Sequence, residues 1–231
     1  MRQFRRQLGI VAALVAVAAM WGGTFVIVQS AVERYPLYGF LGWRFAVAAV
    51  AFVVLFPSSV RTLDRATWKV GLLAGGFLTA GYVFQTWGLV ATSASKAAFI
   101  TGMFVVMTPM LQAIVLRRPP KAWTLAGVGL AVAGLWFLSG GSLGGWNVGD
   151  SRVLVCAFAY SAHMIVLGGS GRHLNVLPLT FVQLATVAVV TGGVSALTER
   201  PPLPTDPLVL AAIGFTGIFA SAVAFAVQTY A

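Results

Sequence analysis

The 231-residue chain is 59% hydrophobic and 9% charged, with a mean hydropathy of +0.91, whereas a soluble domain carries roughly 25% charged residues; too little charge is present to coat a water-facing surface. The net charge of +10 sits in short breaks between apolar runs of membrane-helix length, which excludes the nucleic-acid reading that a basic chain otherwise invites. One cysteine, Cys156, and two histidines, His163 and His173, allow no internal disulfide and offer no metal-ligand spacing; no metal, cofactor or catalytic group is expected.

In chain order, Arg2, Arg5 and Arg6 followed by Leu8 to Met20 mimic a signal peptide. The apolar run continues to about Val32, past the usual h-region of about 7–15 residues, so it reads as a retained first helix. Spans of about 20 apolar residues then fall near 8–32, 36–56, 68–90, 97–116, 122–140, 151–169, 175–197 and 207–230. The expected fold is all-α: a polytopic membrane bundle of about eight transmembrane helices. Pro57-Ser58-Ser59, Arg117-Arg118-Pro119-Pro120, Gly140-Gly141-Ser142 and Pro201-Pro202-Leu203-Pro204 punctuate it. Lys and Arg favour cytoplasmic loops. With the N-terminus inside, Arg2, Arg5, Arg6, Arg61, Arg65, Lys69, Arg117, Arg118, Lys121 and Arg172 lie on inner segments. Only Arg34, Lys96, Arg152 and Arg200 lie on outer ones, and Arg44 lies within a span. A multi-pass protein of the plasma or inner membrane with a cytoplasmic N-terminus follows. Small residues at Ala18/Gly22, Gly71/Gly75, Gly127/Ala131 and Ala157/Ser161 have the spacing that lets helices approach in lipid.

A weak internal repeat runs through the chain. Trp21 to Arg44 aligns with Tyr160 to Gln183 at a constant shift, and Phe84-Gln85-Thr86-Trp87-Gly88 with Val227-Gln228-Thr229-Tyr230-Ala231. One repeat takes five helices, so the second copy is inverted in the membrane, a mark of secondary transporters. The first repeat is expected over 8–140 and the second over 149–231, with only three helices. Two helices are then absent, and the chain reads as a fragment or a truncated product.

The chain resembles the EamA-type transporters of the drug/metabolite transporter superfamily. The residues that carry the likeness are Ala19-Met20-Trp21-Gly22-Gly23-Thr24-Phe25, Trp43-Arg44-Phe45, the stretch from Gln85 to Ile100, Thr108-Pro109 and the glycine-rich fifth span. The resemblance implies a ten-helix bundle of two inverted five-helix repeats that exports or exchanges small metabolites, amino acids or drugs. Two departures stand out: Arg117-Arg118 where the family often has an acidic residue, and no ninth helix with its frequent Glu-Pro.

Several residues are candidates to line a substrate pathway. Arg44 is a charge inside a span, which costs at least about 2.5–3.5 kcal/mol at mid-helix and marks either an interior contact or snorkelling. Thr79, Tyr82, Gln85 and Thr86 share one face of the third span, and Thr101, Thr108 and Gln112 one face of the fourth. Such stripes turn away from lipid, toward a cavity or toward interhelical hydrogen bonds. Pro109 is expected to kink the fourth span near its middle. Trp21, with Thr24 one turn on, and its repeat mate Tyr160 offer aromatic surface or ordinary packing. His163 either titrates near neutral pH or packs as a buried histidine. Gln183 is the repeat mate of Arg44. A membrane enzyme needs acids, bases or nucleophiles placed together, and no Asp or Glu lies within a predicted span. The expected partners are the lipid bilayer and a small-molecule substrate; a homodimer and a non-transporting membrane subunit remain open alternatives.

Overall fold

The computed structural model describes residues 2–117, 120–138 and 145–224. Helices fill nearly all of them, in the order α1 (Arg2–Val32), α2 (Leu37–Leu55), α3 (Arg65–Leu89), α4 (Ala94–Gly102), α5 (Phe104–Leu116), α6 (Ala122–Leu138), α7 (Val148–Gly168), α8 (Val176–Thr198) and α9 (Pro207–Gly217), the last running on into a π-helical stretch, Ile218–Val223. No strand occurs among the described residues. The protein is an all-α membrane bundle. Among the described residues five segments are long and apolar enough to cross a membrane, Val15–Val32, Leu37–Leu55, Ala94–Val115, Val148–His173 and Val176–Thr198, and Ala122–Gly134 and Pro207–Val223 are shorter apolar helices.

Local chemistry sets most helix starts. The Asp64 carboxylate accepts from Thr67 N at 2.7 Å ahead of α3, and Ser93 Oγ accepts from Lys96 N ahead of α4. Asn147 and Asp150 form a reciprocal capping box at α7. Asn175 caps α8, and Asp206 followed by Pro207 starts α9. Each satisfies backbone N–H groups that the first turn leaves unpaired.

α2 has no capping side chain of its own. Glu199, just past α8, caps it from across the bundle: its carboxylate accepts from Tyr38 N at 3.0 Å and Gly39 N at 2.8 Å. A second carboxylate, the buried Asp150, joins Lys96 Nζ at 2.6 Å and accepts from Thr92 Oγ1 at 2.7 Å. Gln29 Nε2 donates to the carbonyls of Leu89 and Thr92, and Tyr35 Oη to that of Pro202. All of these groups lie at one end of the bundle, the far end, where α1, α3 and α8 end and α2, α7 and α9 begin.

The core forms where α2, α3, α7 and α8 meet. Glycines set the spacing there: a Cβ at Gly71 would lie 2.6 Å from Val182 Cγ1, at Gly75 2.7 Å from Thr186 Cβ, and at Gly42 2.9 Å from Gly192 Cα. α3 thus runs parallel to α8, while α2 runs antiparallel to it. Gly88 and Gly149 bring α3 and α7 together, antiparallel, at the far end. α3 is 25 residues long, about 37 Å at 1.5 Å per residue, yet it is absent from the helices apolar enough to count as spans by composition. All of its glycines but Gly76, and its threonines, are buried against neighbouring helices, so it needs less apolar surface. Of the four small-residue pairs, Gly71/Gly75 and the buried Ala157/Ser161 sit at packed seams. Gly22 and Gly127 are exposed, and a Cβ there meets nothing within 4 Å among the described residues.

The fourth crossing departs from expectation. The interruption falls at Met103, between α4 and α5, and Pro109 is carried inside α5. An interior proline removes one N–H bond and presses its ring on the carbonyl four residues back, and α5 nonetheless continues through it to Leu116.

Candidate functional site

Arg44 lies on α2 midway along the bundle and is 3% exposed. Its backbone is pinned from behind, because Gly217 of α9 packs so closely that a Cβ there would lie 2.7 Å from Arg44 O. The guanidinium carbon stands 4.9 Å from the centre of the Tyr82 ring and 5.2 Å from that of Phe45. Nε is buried without a hydrogen-bond partner. Each cation–ring contact gains about 2 kcal/mol when desolvated, so the two rings together are comparable with the mid-membrane cost of a guanidinium, at least about 2.5–3.5 kcal/mol. The rings attract the cation but offer no acceptor in line with its N–H groups, and Nε stays unpaired.

The aromatic group continues from there. Tyr82 meets Tyr160 edge-on at 5.6 Å between ring centres, and Tyr160 meets Phe104 at 6.2 Å. Phe45 packs on Tyr82 at 4.6 Å. Rings from α2, α3, α5 and α7 therefore enclose one region. Cys156, Tyr160 and His163 fall at i, i+4 and i+7 on the α7 face that turns to it. The buried Cys156 lies beside Thr101 and Tyr160, and Gln85 Nε2 donates to Thr101 Oγ1 at 3.3 Å.

One turn further along α7, His163 Nε2 sits 2.6 Å from Gln183 Oε1. Gln183 Nε2 already donates to Leu179 O at 3.0 Å. The amide oxygen is therefore the acceptor, and His163 Nε2 carries the hydrogen. Both groups are buried and partnered, an arrangement that suits a packed histidine as well as a pathway one.

The sequence candidates thus separate. Arg44, Tyr82 and Tyr160 come together through their rings; Gln85 joins Thr101, and His163 joins Gln183. Thr86 is buried on the inner face of α3. On α1, Trp21 Nε1 donates to Ala220 O at 2.7 Å, inside the π stretch, and the buried Thr24 donates to Trp21 O. Thr108 donates within its own helix to Phe104 O at 2.7 Å. Gln112 is exposed on α5, and the interruption at Met103 puts Thr101 on α4 while Thr108 and Gln112 lie on α5. Sequence reasoning does not single out Phe45, Phe104 or Cys156. On an apolar helix they look like any other core residue, and only the i, i+4, i+7 spacing to Tyr160 and His163 marks Cys156.

Comparison with known proteins places this arrangement. The model of the EamA-like transporter family matches residues 7–140. An uncharacterized transporter of Archaeoglobus fulgidus is 30% identical over 217 residues, covering 94% of this chain and 67% of that protein. The uncharacterized transporter YcxC of Bacillus subtilis is 25% identical over 227 residues, covering 90% of this chain and 72% of its own. The uncharacterized transporter YetK of the same species matches 57% of this chain and 41% of its own length at 27% identity. One solved crystal structure superposes with a TM-score of 0.72 at 17% identity, over 96% of this chain and 78% of its own, and so shares the fold. With more than half its length matched by the family model and a 30% identical relative along nearly all of it, the chain belongs to the EamA-like transporter family.

Proposed function

We propose that this membrane transporter is a secondary carrier that moves a small metabolite, amino acid or drug by export or exchange, alternating access to a central site around Arg44, Tyr82 and Tyr160. The observation that carries the reading is the enclosed group itself: a buried guanidinium whose Nε lacks an acceptor, four rings and a band of neutral polar side chains, halfway along the bundle. Polar groups at membrane depth are expensive and face interiors where they act.

The helix pairs support an inverted repeat. If α1, α2 and α3 correspond to α7, α8 and α9, then exchanging the copies turns the α3–α7 pair into α9–α1, and α3–α8 into α9–α2. All four pairs pack together, and α2 packs on its own mate α8. Trp21 meets α9 at Ala220 much as its mate Tyr160 meets α3 at Gly81. Such a pairing gives two equivalent packings with the site open to either side, which is the basis of alternating access. On this reading the far end faces outward, because the Lys and Arg excess lies at the opposite end.

Reconstitution into liposomes tests the proposal. Saturable flux of a labelled small metabolite, with counterflow when unlabelled compound is preloaded, is expected. Absence of any saturable flux across a broad metabolite panel, by folded protein, would overturn it.

A further inference from the structure

We infer that the Arg44 site takes an organic anion, a compound with one carboxylate on an apolar or aromatic body, in preference to a zwitterion, a neutral molecule or a cation. The inference rests on the carrier reading above and names its substrate class.

Negative charge is scarce in the chain, which has five acidic residues in all. Asp64 caps α3 on Thr67 N. Asp150 is bound by Lys96, Thr92 Oγ1 and Asn147 N. Glu199 is held by Tyr38 N, Gly39 N and Ser195 Oγ. Asp206 caps α9 and pairs with Arg34. Glu33 is exposed beyond the end of α1. None of the five faces Arg44. The guanidinium is nonetheless almost fully buried, with Nε lacking any acceptor. Buried charges in proteins are paired, and a carboxylate entering the bundle supplies the missing partner. The rings of Tyr82 and Phe45 lie against Arg44, and a planar guanidinium so stacked still offers its N–H edge for a bidentate pair.

The remaining walls choose the rest of the ligand. Phe45, Tyr82, Phe104 and Tyr160 favour an apolar or aromatic body. Gln85 and Thr101, the nearby polar groups, are neutral and bonded to each other. An ammonium group would find no carboxylate there and would meet the charge of Arg44. The site therefore discriminates against amines and amino-acid zwitterions of the same shape.

The test is a charge series on one skeleton: phenylacetate, phenylacetamide, phenylalanine and phenethylamine, each added to the purified chain. Equilibrium dialysis measures binding, and thermal melting reports stabilisation. Phenylacetate should bind at least about tenfold more tightly than the other three, the margin of one charge-assisted pair, and should raise the melting temperature. Arg44→Lys should weaken it about tenfold by losing the fork, and Arg44→Gln should remove the preference. Equal or tighter binding of phenethylamine or phenylalanine overturns the inference, as does no binding of phenylacetate, or unchanged binding by a folded Arg44→Gln protein. Should Arg44→Gln fail to fold, the wild-type series decides alone. Liposome flux separates this inference from the carrier reading. Saturable flux of amines or neutral compounds without anion preference refutes the inference and keeps the carrier. Carboxylate-selective binding without flux of any compound refutes the carrier and keeps the binding site.

Discussion

Gly81 leaves the room that the ring of Tyr160 occupies: a methyl group at that position would overlap the ring's Cε1 and Cδ1. Tyr160 has no easy retreat, since Tyr82 and Phe104 hold it edge-on from two sides. Gly81→Ala should therefore cost about 1–3 kcal/mol by overpacking, read as a lower melting temperature in detergent. It should also impair the site more than its modest volume suggests, because the displaced ring is one that packs on Tyr82, which stacks on Arg44. Gly76, also on α3 but with nothing within 4 Å of where a Cβ would stand, is the control, and Gly76→Ala should be neutral or slightly stabilising. Residues of this kind show where sequence reading stops. A charge inside an apolar run announces itself, so Arg44 is legible. Phe45 and Phe104 are not, because nothing local distinguishes a ring that lines a site from a ring that fills a core.

At the scale of elements, the helix starts are readable because each is written in a few consecutive residues, Asp64 through Thr67 or Asn147 through Asp150. What is not readable depends on partners distant in the chain. Glu199 caps α2 from 160 residues away, and Asp150 of α7 binds Lys96 of α4 and Thr92 of the α3–α4 connection. The turn at Met103 and the π stretch at Ile218–Val223 leave no local signature either. Asp150→Asn removes the charge opposite Lys96, whose side chain is only 12% exposed. Stranding one member of a buried pair costs about 3–5 kcal/mol. Removing both, in Lys96→Met with Asp150→Asn, should restore part of the loss; chemical denaturation of the single and double variants measures the difference. The α3 cap should respond to pH. Thr67 donates to Asp64 through its side chain and backbone and holds its carboxyl below the usual range. A depressed pKa contributes stability above the unfolded value, about 3.9, that is lost as pH falls through the folded one. Acid should therefore weaken the start of α3, and Asp64→Asn should flatten that part of the pH profile of melting.

For the whole molecule, the apolar content and the spacing of its breaks are enough to reveal an all-α membrane bundle, since a helix that spans lipid needs a length set by the bilayer itself. Which helices touch is legible only through the repeat, because lipid-facing and protein-facing residues are equally apolar and no periodic pattern separates them. The orientation remains to be tested, and the structure selects the probes. Thr205 at the far end and Ser58 at the other are both exposed, whereas Cys156 is buried and can stay in place. In intact cells an impermeant maleimide should label Thr205→Cys and spare Ser58→Cys until the membrane is permeabilised; the reverse pattern would invert the proposed topology.

The glycine contacts that draw α2 and α3 onto α8 also divide the molecule in time. Along those seams Gly42, Gly71 and Gly75 sit against α8 with no room for a side chain, while α6 touches only α4 and α5 among the described residues and presents Trp123, Leu130 and Phe137 outward. Opening α6 breaks few buried contacts, and local opening is what exposes an amide to exchange. In deuterated buffer the amides of α2, α3 and α8 should therefore outlast those of α6, leaving a slow-exchanging spine with a faster flank.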